Sequence, residues 1–116
     1  MIGNQTLSPI GRGSAVTIVF TCALNGSTVG QNYGFYLRRV EGDPTLLAGK
    51  DTALLGGVTA VSLGSGTTPA VYAASLARAD TTLEPDNYYW SFERIDAGAE
   101  DVVAWGYLPV QGSARG

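Results

Sequence analysis

Histidine is absent from these 116 residues, which removes the commonest general base and the commonest transition-metal ligand together. A histidine-dependent triad is excluded. Cysteine occurs once, as Cys22, so no intrachain disulfide can form and the fold must stand on packing alone, compatible with a reducing compartment. Lysine also occurs once, and ten acids outweigh seven bases. With Arg38 and Arg39 the only adjacent basic pair, the net charge of -3 offers no clustered grip on a phosphate backbone, so nucleic acid is not an expected partner. No run approaches the roughly 18 apolar residues a membrane span needs, and "MIGNQTLSPIGRG" carries no secretion signal. Neither a membrane nor a secretory route is expected.

What is present is turn and strand chemistry. Sixteen glycines, with many threonines, serines and valines and few glutamates, suit short strands and tight turns rather than a helical bundle. The length fits one domain with one core. The expectation is a single all-β domain over residues 1–116, with flexible ends at about 1–12 and 111–116.

Period-two alternation locates the strands. "AVTIVFTCAL" sets Val16, Ile18, Phe20 and Cys22 on one face. "YGFYLRRV" sets Tyr33, Phe35 and Leu37 on one side, with Tyr36 and Arg38 on the other. "GGVTAVSLGSGTTP" alternates weakly, Val58, Ala60 and Ser62 against Thr59, Val61 and Leu63, and its glycines weaken the register. "AVYAASLARADTTLEP" divides into a strand over Ala70–Ser75 and a short helical turn over Ala77–Leu83. "NYYWSFERI" sets Tyr88, Trp90 and Phe92 on one face. "VVAWGYLPV" offers Val102, Ala104, Gly106, Leu108 and Val110 on one face, opposite Val103, Trp105 and Tyr107, with Pro109 marking a sheet edge or strand end.

Two tryptophans, three tyrosines and one phenylalanine fall between Asn87 and Val110. The Tyr88, Trp90 and Phe92 row reads as core, against Phe20, Phe35 and Leu37, because a disulfide-free sandwich needs the area that buried aromatics remove from water. Cys22, beside Phe20 in an apolar strand, reads as an inert core thiol. The outward aromatics Tyr36, Tyr89, Trp105 and Tyr107 have the composition of a protein interface and also of a sugar-stacking platform. No catalytic, metal or cofactor residues stand out. The acids of the last hairpin, Asp96, Glu100 and Asp101, do not follow an EF-hand pattern, and "GRGS" and "GSGTTP" lack the lysine and context of a phosphate loop.

Several of these runs carry a family likeness. "GSAVTIVFTCAL" resembles the B strand of an immunoglobulin domain, with Cys22 in the place of its first cysteine. "LARADTTLEPDNYYW" resembles the corner into strand F, with Asp80 ahead of Tyr88, the candidate tyrosine corner, and Trp90 where the second cysteine would stand. The runs "GFYLRRVEGDPTLLAG" and "VYAASLARADTTLEPDNYYWSFERIDAGAEDVVAWGYLPV" are together similar to small immunoglobulin-like modules of tailed-bacteriophage virion proteins, such as baseplate upper protein amino-terminal domains. Leu37, Arg38, Asp80, Thr81, Leu83, Pro85, Tyr88, Trp90, Gly106, Leu108 and Val110 carry the likeness. Asp86 and Asn87 depart from it, standing where those modules have a glycine turn.

The resemblance implies an immunoglobulin-like antiparallel β-sandwich of about seven strands with a non-enzymatic structural role on a virus particle. Its implied partners are other virion proteins, the major capsid protein or tail proteins, with many copies in a symmetric assembly. A one-domain chain fits a capsid decoration, cement or head accessory protein better than a tail or baseplate adaptor. A carbohydrate-binding module for host attachment is the alternative.

Overall fold

The computed structural model describes residues 3–21, 32–62, 68–96, 98 and 100–112. The chain is an all-β sandwich with nine strands among them: β1 Gly3–Thr6, β2 Ile10–Gly11, β3 Val16–Thr21, β4 Tyr33–Arg38, β5 Ala48–Asp51, β6 Val58–Ser62, β7 Val71–Leu76, β8 Asp86–Arg94 and β9 Asp101–Gln111. A 3-10 turn, Arg78–Thr81, lies inside the span expected to be helical. The larger sheet runs β1-β9-β8-β4-β5, with β2 also on β9, and the smaller runs β3-β7-β6. In immunoglobulin terms β3, β7 and β6 are strands B, E and D, while β4, β8 and β9 are C, F and G.

Alternation buries one face of each sheet. Phe35, Leu37, Trp90 and Phe92 from the larger sheet are closed off from solvent, and Phe20 and Tyr72 face them from the smaller. Phe20 stacks on Phe92 with ring centroids 4.2 Å apart and lies 5.4 Å from Trp90; Phe35 stacks on Trp90 at 5.9 Å. These rings join the two layers without a crosslink. Cys22, the remaining expected core residue, lies outside the described residues, as does Leu63. Tyr88 is buried, and its hydroxyl donates to the Glu84 carbonyl at 2.5 Å, pinning the corner into β8 as a tyrosine corner does.

Several local expectations differ from what the backbone does. From residue 3 to residue 12 the chain is tied down, because β1 and β2 pair in parallel along β9, Gly3 opposite Ala104 and Ile10 opposite Val110. At the other end, β9 continues to Gln111, and residues 113–116 lie outside the described residues. Val102 and Val103 exchange faces: Phe92 pairs with Ala104 but Glu93 with Val102, and this bulge turns Val102 outward while Val103 packs on the core. An extra residue reverses the side-chain alternation beyond it. In β6 a bulge between Ala60 and Ser62 does the same, leaving Val58 as the strand's buried residue. Pro109 lies within β9 rather than at an edge or end, at the break where the neighbouring ladder passes from β1 to β2. A residue without an N–H is tolerated where pairing is already interrupted.

Candidate binding face

The inward alternation of β4, β8 and β9 obliges their other side chains to point away from the core. Register then fixes which of them meet. Tyr36 pairs with Ser91 and Ser91 with Trp105, while Arg38 pairs with Tyr89 and Tyr89 with Tyr107. Tyr36, Tyr89, Trp105 and Tyr107 therefore share the outer face of the larger sheet, in two adjoining rows. Directly opposed residues on neighbouring strands have Cβ atoms about 4.5–5.5 Å apart, close enough to touch. Tyr107 is exposed; the other three are half-buried.

Each ring is seated by a neighbour. Tyr89 and Tyr107 meet edge to face with centroids 6.1 Å apart. Tyr36 folds back over Gly34, so closely that a Cβ there would collide with the phenol ring. The Arg38 guanidinium lies over the same ring, 5.9 Å from its centroid, within cation–π range. Burial, and then Asp51 and Glu93, push the Tyr36 phenol above its ordinary pKa; burial, followed by Glu41 and Glu93, does the same to Tyr89. Both rings are neutral hydroxyl donors at physiological pH.

Ser91 is the small residue between two aromatics. Although it faces outward it is 2% exposed, because its hydroxyl donates to Glu93 Oε2 at 2.6 Å and Arg38 reaches it from above at 3.5 Å. The dip beside it opens into a hollow of about 350 Å³ lined by Arg38, Glu41, Asp43, Tyr89, Ser91 and Glu93. Arg38 also shapes the rim: its Nε donates to the Asp43 carbonyl at 3.0 Å. Gly42, at φ 82°, supplies the left-handed conformation that the turn requires.

Toward the β5 edge the face becomes aliphatic. Leu46 and Leu55 approach Gly49 beside Tyr36, and both are exposed, as is Leu54 at 94%. Sequence reasoning passed over these leucines. Their signal was the two Leu-Leu pairs of "TLLAGKDTALLGG", which bracket β5 with more apolar side chains than a four-residue strand can bury. Buried Asp51 fixes the second pair, its Oδ1 accepting from the Ala53 and Leu55 amides at 3.0 and 2.7 Å.

Three further acids hold local structure together. Asp80 accepts from the Ala77 amide at 2.7 Å and pairs with Lys50 at 3.0 Å. Asp96 accepts from Arg94 Nε at 2.8 Å and from the Asn32 amide at 2.9 Å, which draws its carboxyl below the usual range. Glu100 accepts from the Gly98 amide. Among the described residues no three His, Cys, Asp or Glu side chains gather as a metal site, and no helix is long and apolar enough to cross a membrane. The sequence matches no protein-family model and no curated protein at a significant level.

Proposed function

We propose that this chain is a non-enzymatic structural module of a tailed-phage particle, attached to another virion protein through the outer face of its larger sheet. The observation that carries the binding reading is the convergence of Tyr36, Tyr89, Trp105 and Tyr107 on that face, continued by Leu46 and Leu55. A face with aromatics at its centre, aliphatics at one edge and charged groups beside it has the anatomy of a protein contact. The non-enzymatic reading is supported by the lack of histidine and by acids committed to turns and ion pairs.

The particle itself is proposed from the likeness of the Leu37–Arg38 strand and the Asp80–Trp90 corner to virion modules. Such a contact suits a repeated lattice, where symmetry multiplies weak attachments. Capsid decoration, cement or head accessory is therefore the preferred role, and tail or baseplate adaptor the second. No cofactor enters the reading. Particles assembled with the Trp105→Ala/Tyr107→Ala variant test it: the variant is expected to be lost on purification, and occupancy equal to wild type contradicts the proposed contact.

The hollow beside Tyr89 favours a second reading, carbohydrate binding. Arg38, Ser91 and Glu93 place hydroxyl-binding groups next to an aromatic ring, as sugar recognition requires. Glycan-array binding that vanishes in Tyr89→Ala supports it, and a blank array removes it.

A further inference from the structure

We infer that the hollow beside Tyr89 receives an arginine side chain of the partner protein. The inference rests on the protein-contact reading of the outer face and names the partner's chemistry at one point of it. Three carboxylates, Glu41, Asp43 and Glu93, line the hollow with a single guanidinium, that of Arg38. Three negative charges against one positive leave the wall at a net -2. The four ion pairs among the described residues occupy Glu84, Asp86, Asp80 and Asp96, so none neutralises a carboxylate of the hollow. Arg38 is itself engaged elsewhere: its Nε donates to the Asp43 carbonyl and its guanidinium lies over Tyr36.

The hollow has a built floor. Ser91 lines it yet is 2% exposed, and its hydroxyl donates to Glu93 Oε2 at 2.6 Å. That bond holds the carboxylate in place and leaves Oε1 without a hydrogen bond among the described residues. Asp43 is held likewise, its Oδ1 accepting from the Thr45 amide at 2.9 Å. After burial, Glu41 and then Glu93 raise the Tyr89 phenol's pKa, with Arg38 opposing them. Both carboxylates therefore act within electrostatic reach of the aromatic ring.

A ring beside carboxylates suits a guanidinium better than an ammonium. The guanidinium is planar and weakly hydrated, stacks on aromatic faces and pairs in bidentate fashion with carboxylates. Val102, turned outward by the bulge in β9, also lines the hollow and offers apolar surface to an arginine stem. At about 350 Å³ the hollow is small among ligand pockets, a size for one long side chain. A neutral sugar gains nothing from the charge of the wall.

The test titrates the full chain with the capped tripeptide acetyl-Ala-Arg-Ala-amide, followed by NMR. Shifts are expected at Arg38, Tyr89, Ser91, Glu93 and Val102. The lysine peptide and the near-isosteric, uncharged citrulline peptide are expected to bind about tenfold more weakly. Glu41→Gln/Glu93→Gln is expected to weaken arginine binding about tenfold; Glu41→Gln alone, at an exposed position, is expected to weaken it about threefold and keeps the test valid should the double variant fail to fold. No shift at tens of millimolar peptide, or equal binding of the citrulline or lysine peptide, overturns the inference. So does a stronger response of the same residues to a methyl hexoside, which identifies a sugar as the occupant. Particles assembled with Glu41→Gln/Glu93→Gln separate the inference from the contact it rests on, and their occupancy is expected to fall. Full occupancy for this variant, with loss of Trp105→Ala/Tyr107→Ala, overturns the role of the hollow and leaves the contact standing. Full occupancy for both overturns the contact as well.

Discussion

Tyr89 and Tyr107 stand edge to face across the β8–β9 pair, their rings inclined at 75°. Such pairs contribute about 0.5–1.5 kcal/mol beyond the area they bury, and each ring limits the other's rotamers before any partner arrives. A pre-ordered face loses less entropy on binding. A double-mutant cycle with Tyr89→Ala and Tyr107→Ala in urea unfolding is expected to show coupling of about 0.5–1.5 kcal/mol. Strict additivity would mean that the rings do not support one another.

The contact between layers is a separate matter. Phe20 meets Phe92, Trp90 and Phe35 within 6.0 Å, so Phe20→Ala opens a cavity where the sheets join. A loss of about 3–5 kcal/mol is expected. Equilibrium denaturation measures it, and a loss below about 1 kcal/mol would show that the stack is not what holds the sheets together.

Gly34 is expected to resist substitution for a reason confined to Tyr36. Adding a methyl group evicts the phenol from its seat, at a cost of about 1–3 kcal/mol as overpacking. Burial holds the Tyr36 pKa above 10.0, so in Gly34→Ala its titration, followed by site-labelled NMR, is expected to move down toward that value. An unchanged titration contradicts the seat.

Asp96 sets the acid limb of stability. Its folded pKa lies below the ordinary carboxylate value of 3.8. The stabilisation it gives is therefore complete above about pH 4 and is lost as pH falls through the lower folded value. Asp96→Asn is expected to melt earlier than wild type at neutral pH, with the difference narrowing below pH 4. A difference independent of pH would contradict the role of the Arg94–Asp96 pair.

Much of this was legible because β3, β4, β8 and β9 carry the period of a half-buried strand. That period placed Phe20, Trp90 and Phe92 inside and Tyr36, Tyr89, Trp105 and Tyr107 outside. The rest depended on neighbours. β1 and β2 have four and two residues and owe their extended form to β9, a tertiary pairing with no local pattern. β5, "AGKD", is a strand because it docks on β4. The inversion at Val102 and Val103 comes from a bulge, and nothing in their composition announces it. The hollow arises where Ser91 falls between two aromatics in register, which requires knowing which strands are adjacent.

The most direct measurement is imaging of the assembled particle at a resolution that orients the module. Density should show the Tyr36–Ser91–Trp105 row pressed against a neighbouring virion protein. A module that turns this row to solvent and attaches through another surface would contradict the account.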